Sequence, residues 1–116
     1  MDLDSFEGPE RVELAPGYTV SRVINGCWQL SEGHSLTSPI DFDDVTRAFF
    51  ELTERGFTTF DCCDIYTGVE EFLGTFVEKL KAGQGAVSAD EIQIHTKYVP
   101  DLDILADVDF AHTEAI

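Results

Sequence analysis

The spacing of apolar residues changes along the chain, and the two spacings predict alternating strands and helices. Two short extended runs, Arg11–Leu14 and Tyr18–Val20, flank the turn signal Ala15-Pro16-Gly17, which predicts a small antiparallel hairpin. Residues 1–10 are polar and acidic and are expected to form a loose lead-in. Apolar runs predict buried strands at Val23–Trp28 and Phe57–Cys62, and a third strand is predicted at Glu91–Tyr98.

Two segments between these strands have helical periodicity with one apolar face each. Asp41 can cap the first helix, Arg55 suits its last turn, and Gly56 is expected to end it. The second helix starts near Val69, and a third is predicted to begin within 109–116. Strands that alternate with helices predict a parallel sheet with right-handed crossovers. The two apolar stripes are Val45, Ala48, Phe49 and Leu52, and Leu73, Phe76, Val77 and Leu80.

Size and charge restrict the classes of protein that the chain can belong to. Its 116 residues, 43% of them hydrophobic, predict one domain over residues 1–116. The 23 acidic residues outnumber the 7 Lys and Arg, and a net charge of -16 makes nucleic acid and anionic membranes unfavourable partners. No apolar stretch approaches the roughly 20 residues of a membrane helix. The amino terminus does not resemble a signal peptide, which predicts a cytoplasmic protein.

The three cysteines, Cys27, Cys62 and Cys63, do not have the spacing of a metal site. The adjacent pair would need further ligands, and the chain contains neither Cys-x-x-Cys nor His-x-His. We therefore expect buried, reduced thiols and no metal.

Candidate chemistry lies where the second and third strands end. Asp61 ends one strand and Lys97 ends the next, and neighbouring strands lie about 5 Å apart, so the two side chains are expected to form an ion pair. Tyr66 follows on the loop after Asp61. An ammonium stabilises a nearby phenolate, so such a tyrosine can donate a proton to a carbonyl oxygen. The residues alone leave open a structural ion pair and a loop aromatic that packs on the rim.

Several segments together resemble the aldo-keto reductase family. Asp61–Tyr66, followed by Glu70 and Leu73-Gly74, is similar to its signature of an Asp and a Tyr with a downstream Glu and Gly. Ile94–Lys97 resembles the third-strand segment that ends in the essential Lys, and Asn25–Trp28 resembles a first-strand Gly-Thr-Trp with Cys in the Thr place. The resemblance extends over about residues 11–105.

The resemblance implies a (β/α)₈ barrel that reduces small aldehydes, ketones or sugars with NADP(H), although NAD(H) stays open. Tyr66 would be the general acid, Lys97 would assist it, and Asp61 would hold Lys97. Gly26 and Cys27, together with Asp61, would line the nicotinamide end of the cofactor site. Trp28 would form the wall of the substrate pocket beside Tyr66.

The family's remaining catalytic residue, a His at the end of the fourth strand, has no counterpart here. His95 shares a face with Lys97 but is expected to lie deeper in the barrel. A complete barrel takes about 250 residues, so the expected fold is a partial (β/α)₈ barrel of the α/β class: the hairpin plus about three β/α units. We expect an enzyme segment that is inactive alone. The alternative is a non-enzymatic interaction module that self-associates through exposed sheet edges.

Overall fold

The computed structural model describes residues 7–31 and 39–100. Within these ranges the strands and helices alternate after an initial hairpin, as the pattern predicts. The third helix, predicted within 109–116, lies outside the described residues. The elements in chain order are β1 (Arg11–Ala15), β2 (Tyr18–Ser21), β3 (Asn25–Gly26), α1 (Phe42–Glu54), β4 (Thr59–Asp61), α2 (Val69–Lys81) and β5 (Gln93–His95), with 3₁₀ turns at Trp28–Leu30 and Ala89–Glu91.

The antiparallel hairpin of β1 and β2 is confirmed. Arg11 lies opposite Ser21, and the register shifts between Glu13 and Ala15. Gly17 turns the chain with φ at +77°, a conformation that residues with a Cβ adopt with strain. The hairpin therefore closes where the Pro-Gly turn predicts.

The parallel sheet is also confirmed, with the strand order β3–β4–β5. Asp61 on β4 lies opposite Gly26 on one side and His95 on the other. Helix α1 connects the first pair of strands and α2 connects the second. All three strands run in the same direction, so their carboxyl-terminal ends lie along one side of the sheet, which we call the carboxyl edge.

The predicted strand over Val23–Trp28 is wrong in most of its length. Only Asn25–Gly26 form a strand, and Val23 and Ile24 are 54% and 46% exposed. The hydroxyl of Ser21 donates to the carbonyl of Val23 at 2.7 Å, a local bond that bends the chain before the sheet begins. The two later strands are also shorter than predicted, at Thr59–Asp61 and Gln93–His95.

Aromatic rings form the core between the helices and the sheet. Phe60 on β4 is fully buried, with its ring centroid 4.7 Å from that of Phe49 on α1 and 6.0 Å from that of Phe76 on α2. Such tilted pairs add about 0.5–1.5 kcal/mol each to the burial of apolar area. The remaining buried members of this cluster are Cys27, Leu30, Cys62, Val69, Leu73 and Leu80.

The apolar stripe predicted on α1 is partly wrong. Phe49 is buried as expected, but Ala48 is exposed, and Thr46 and Thr53 are buried instead. Each threonine hydroxyl donates to the carbonyl four residues earlier, at 2.7 and 2.9 Å, so neither hydroxyl is buried unsatisfied.

The predicted ends of α1 are largely confirmed. The carboxylate of Asp41 caps the helix by accepting from the backbone N–H groups of Asp43 and Asp44 at 3.0 and 3.3 Å. Arg55 follows the last turn as the cap residue, rather than lying inside that turn. Gly56 then takes φ of +96°, as expected of a glycine that ends a helix.

Candidate active site

Asp61 and Lys97 meet at the carboxyl edge. The ammonium of Lys97 donates to Asp61 Oδ1 at 2.7 Å and to the backbone carbonyl of Cys62 at 2.6 Å. Both side chains are about half exposed, at 49% for Lys97 and 43% for Asp61. The predicted ion pair between neighbouring strand ends is therefore present, and a second oxygen helps to fix the nitrogen.

Tyr66 lies next to this ion pair. The Lys97 nitrogen is 6.0 Å from the centroid of the Tyr66 ring, within the distance of a cation–π contact. The hydrogen bond to Asp61 raises the pKa of Lys97 above its ordinary value of 10.5, and burial partly opposes this. The charge of Asp61 raises it further, with smaller contributions from Tyr66 and Cys63. Lys97 is consequently held in its charged form beside the phenol.

Backbone hydrogen bonds set the path of the loop that carries Tyr66. The N–H of Cys62 donates to the carbonyl of His95 at 2.7 Å, which extends the pairing of β4 with β5. The N–H of Tyr66 then donates to the carbonyl of Cys63 in a tight turn. The N–H of Val69, the first residue of α2, donates to the backbone carbonyl of Tyr66. The loop is short, and these bonds keep Tyr66 close to the strand end.

The three residues expected at the cofactor and substrate sites follow one another at the end of β3. Gly26 lies opposite Asp61, and the N–H of Cys27 donates to the carbonyl of Asp61 at 3.1 Å. Cys27 as a whole is 1% exposed, so neither its side chain nor its backbone is open at the carboxyl edge. Trp28 begins a 3₁₀ turn, and its side chain is more than half exposed.

The expectation of buried, reduced cysteines is confirmed for all three. Burial is the largest cause, and the neighbouring Cys62 and Asp61 are smaller ones, of the rise in the pKa of the Cys27 thiol to about 12. Burial is also the main cause that raises the pKa of Cys62. Within 7–31 and 39–100, no three His, Cys, Asp or Glu side chains are grouped closely enough to hold a metal ion.

Two contacts beside Lys97 were not predicted from the sequence. The Asp64 carboxylate accepts from the backbone N–H of Val99, two residues after Lys97. Glu70 accepts from the hydroxyl of Thr96 at 2.9 Å. Asp after a strand often accepts backbone hydrogen bonds in turns, so its position could have indicated this role. The Glu70 contact joins α2 to the segment after β5, and no local pattern indicates it.

The surface on the β3 side of the ion pair is open at Gly26. A Cβ built on Gly26 would have no heavy atom within 4 Å, so the backbone is open beside Asp61. This opening fits the reacting end of a nicotinamide cofactor, which needs close approach to the backbone and to a proton donor. Gly26 is thus compatible with the close approach of such a ring.

A comparison with models of protein families assigns the chain to a family. The model of the aldo/keto reductase family matches residues 22–114 of the 116-residue chain. The chain therefore belongs to the aldo/keto reductase family, a family of oxidoreductases with (β/α)₈ barrels. The α/β arrangement of the described residues is consistent with part of such a barrel.

No curated protein and no solved structure matched the chain. In the part of the chain that the structure describes, none of the helices combines the length and apolarity needed to cross a bilayer.

Proposed function

We propose that this chain supplies the proton-donating part of a nicotinamide-dependent carbonyl reductase. The observation that carries the proposal is the pair of Lys97 and Asp61 beside Tyr66 at the carboxyl edge of a parallel sheet. Catalytic residues of (β/α)₈ barrels lie at the same end of the strands. Membership of the aldo/keto reductase family supports small carbonyl compounds as the substrate class.

In the proposed reaction, Tyr66 is the general acid. Its hydroxyl donates a proton to the carbonyl oxygen as that oxygen becomes an alkoxide, so the product is an alcohol. Lys97 stabilises the phenolate that remains, and Asp61 keeps the ammonium in place. Solvent returns the proton to Tyr66 after the product leaves. When bound, the cofactor supplies the hydride that the carbonyl carbon receives.

The residues at the end of β3 would hold the reacting groups near Tyr66. Gly26 leaves the backbone open for the nicotinamide ring, with Asp61 on the adjacent strand. Cys27 would support this site from the core, because the whole residue is buried and its N–H is bonded to Asp61. The exposed indole of Trp28 would contact the substrate. We propose NADP(H) as the cofactor, with NAD(H) as the alternative.

We further propose that this chain forms the first part of a (β/α)₈ barrel and is inactive alone. The family's barrel requires eight strands, and the segment described here supplies the hairpin and three parallel strands. Oxidation of NADPH with a panel of aldehydes, ketones and sugars tests the chain directly. Turnover that Lys97→Met abolishes would contradict inactivity while supporting the role of Lys97.

A chimaera tests the catalytic roles separately. Residues 11–105 of this chain would replace the corresponding segment of a complete, active aldo/keto reductase. Tyr66→Phe in an active chimaera should lower kcat by about 10²–10⁴-fold, the usual contribution of a general acid. Tyr98→Phe is the matched control, because Tyr98 is 81% exposed and should tolerate the change. An active chimaera that is insensitive to Tyr66→Phe would refute the proposed mechanism.

A second candidate, the non-enzymatic module, is favoured by one observation at the sheet. In the described ranges, β5 pairs with β4 on one side only, and Ile94 on β5 is 38% exposed. A sheet edge of this kind can pair with a second copy of the chain. Sedimentation of the chain at several concentrations tests this: a defined oligomer supports the module, whereas a monomer contradicts it. The cytoplasmic location and the lack of nucleic-acid and membrane partners stay predictions.

A further inference from the structure

The segment that carries Lys97 begins where the regular sheet ends. β5 ends at His95, two residues before Lys97. Lysine has a flexible four-carbon side chain, so the position of its ammonium depends on how firmly the backbone beneath it is held. Hydrogen bonds from outside the strand must hold this backbone.

We propose that Asp64 is a positioning residue, which holds the backbone on the carboxyl-terminal side of Lys97 by using its carboxylate in place of a main-chain carbonyl. The backbone N–H of Asp64 donates to the carbonyl of Lys97 at 3.0 Å. The N–H of Val99 donates to the Asp64 carboxylate, at 3.1 Å to Oδ1 and 3.3 Å to Oδ2. One residue thus holds the chain at positions 97 and 99.

The register shows why this arrangement continues the sheet. Asp61 lies opposite His95, an offset of 34 positions. In a parallel pair, the N–H of a residue donates to the carbonyl of the residue just before its opposite partner. Its carbonyl accepts from the N–H of the residue just after that partner. Asp64 takes the place opposite position 98, again at an offset of 34. Its N–H donates to the carbonyl of Lys97, and its carboxylate, in place of its own backbone carbonyl, accepts from the N–H of Val99. The pairing of β4 with β5 is thereby extended past Lys97.

A second contact holds the other side of Lys97. Thr96 donates its hydroxyl to Glu70 Oε2 at 2.9 Å, and Glu70 belongs to the first turn of α2. Lys97 therefore lies between two residues whose positions are fixed by other elements. The Asp64 contact is the more direct one, because it includes a bond to the carbonyl of Lys97 itself.

The proposal rests on the proposed function for its catalytic meaning, but its test needs neither cofactor nor turnover. Two NMR readouts on the 116-residue chain are used: hydrogen exchange of the Val99 amide and titration of Lys97 through its Cε carbon. Asp64→Ala removes the acceptor and the charge. Asp64→Asn removes the charge but keeps a carbonyl oxygen as an acceptor. Glu71→Ala is the matched control. It also removes an exposed carboxylate, but one that lies in the first turn of α2 rather than beside Lys97.

Asp64→Ala is expected to accelerate exchange of the Val99 amide by about tenfold or more. It should also bring the Lys97 titration back towards its ordinary range, because the ammonium no longer stays beside Asp61. Asp64→Asn and Glu71→Ala should leave both readouts close to those of the parent chain. If Asp64→Asn and Asp64→Ala shift the Lys97 titration equally, Asp64 acts by charge and the proposal is overturned. No shift in either variant also overturns it.

Val99→Pro tests the same bond from its donor side and keeps the Asp64 charge. It removes the N–H that Asp64 accepts, so it should shift the Lys97 titration in the same direction as Asp64→Ala. If Asp64→Ala does not fold, Val99→Pro tests the positioning role of Asp64 in its place. An unchanged Lys97 titration in Val99→Pro would overturn the proposal. Expected results here, together with an active chimaera that Tyr66→Phe leaves unchanged, would refute the proposed mechanism and leave the positioning role intact.

Discussion

Lys97 and Asp61 are 36 positions apart in the chain, and their ammonium and carboxylate meet at 2.7 Å. Exposed ion pairs contribute little to folding, and both of these side chains are about half exposed. The second bond from the ammonium, to the carbonyl of Cys62, has no effect on charge balance but restricts the direction of the nitrogen. The pair therefore contributes little to folding, and its positive charge lies beside Tyr66.

Asp61→Asn should lower the pKa of Lys97, because the hydrogen bond to Asp61 is the largest cause of its raised value. The raised pKa of Lys97 also contributes to the stability of the fold. This contribution is complete below the ordinary value of 10.5 and is lost as pH rises through the raised value in the folded chain, so Asp61→Asn should remove it. Titration of the Lys97 Cε carbon by NMR measures the change. Asp44→Asn is the control, since its partner is Arg47 on the same helix. An unaltered Lys97 titration in Asp61→Asn would contradict the assignment.

The chain should lose stability above pH 9, starting before Lys97 titrates. An ordinary thiol ionises near 9.0, whereas the fold raises the pKa of Cys27 to about 12, so over this interval the unfolded chain releases a proton that the folded chain keeps. The free energy of unfolding should fall by up to about 1.4 kcal/mol per pH unit for this thiol. Urea unfolding between pH 7 and pH 11, with reductant, measures the slope.

Cys27→Ala is the control for the alkaline loss of stability. The variant lacks the titrating thiol, so its stability should fall less steeply with pH than that of the parent chain. Other groups that titrate in this range contribute equally to both proteins and cancel in the difference. Identical slopes would show that Cys27 does not cause the effect.

Phe60→Ala should destabilise the chain by about 3–5 kcal/mol, the usual loss for a buried phenylalanine. The Phe60 ring lies between α1 and α2, and its removal leaves a cavity beside Phe49 and Phe76. Urea unfolding monitored by circular dichroism measures the loss. Leu14→Ala is the matched control, because Leu14 is 60% exposed and should change stability by no more than about 0.5 kcal/mol. Similar losses in both variants would contradict the position of the core.

Tyr18→Phe should loosen the hairpin without unfolding the sheet. The Tyr18 hydroxyl lies 2.6 Å from Nε2 of His95 and connects β2 to β5. A hydrogen bond of this kind contributes about 0.5–1.5 kcal/mol, so amide exchange in β1 and β2 should accelerate while that in α2 stays unchanged. Tyr98→Phe serves as the control. Equal protection of the hairpin in both variants would show that the contact does not hold it.

Local patterns predicted the helices better than the strands, for physical reasons that particular residues show. Asp41, Gly56 and the spacing of Leu73 and Phe76 act within a few positions, so the sequence displays them directly. The strand expected at Val23 failed because the hydroxyl of Ser21 bends the chain there. That bond competes with sheet pairing, and apolar content alone does not indicate which of the two prevails.

The ion pair of the candidate site was predictable from the sequence, but the contacts around it were not. The ends of two parallel strands indicated Asp61 and Lys97, and the observed ion pair agrees. The roles of Asp64 and Glu70 depend on where residues 26 to 35 positions away come to lie. Such contacts follow from the register of the sheet and the path of α2, which short sequence patterns do not specify.

The contact between Tyr18 and His95 also has a consequence for biosynthesis. The two residues are 77 positions apart, so this contact cannot form while the ribosome is still making the segment before β5, whereas the bonds from Arg11 to Thr58 and from Ser21 to Thr59 can form earlier. Loop closure over that span is entropically costly, which places the anchoring step late in folding. A nascent chain arrested before Gln93 would therefore hold its hairpin by the bonds to Thr58 and Thr59 alone, without the contact to β5.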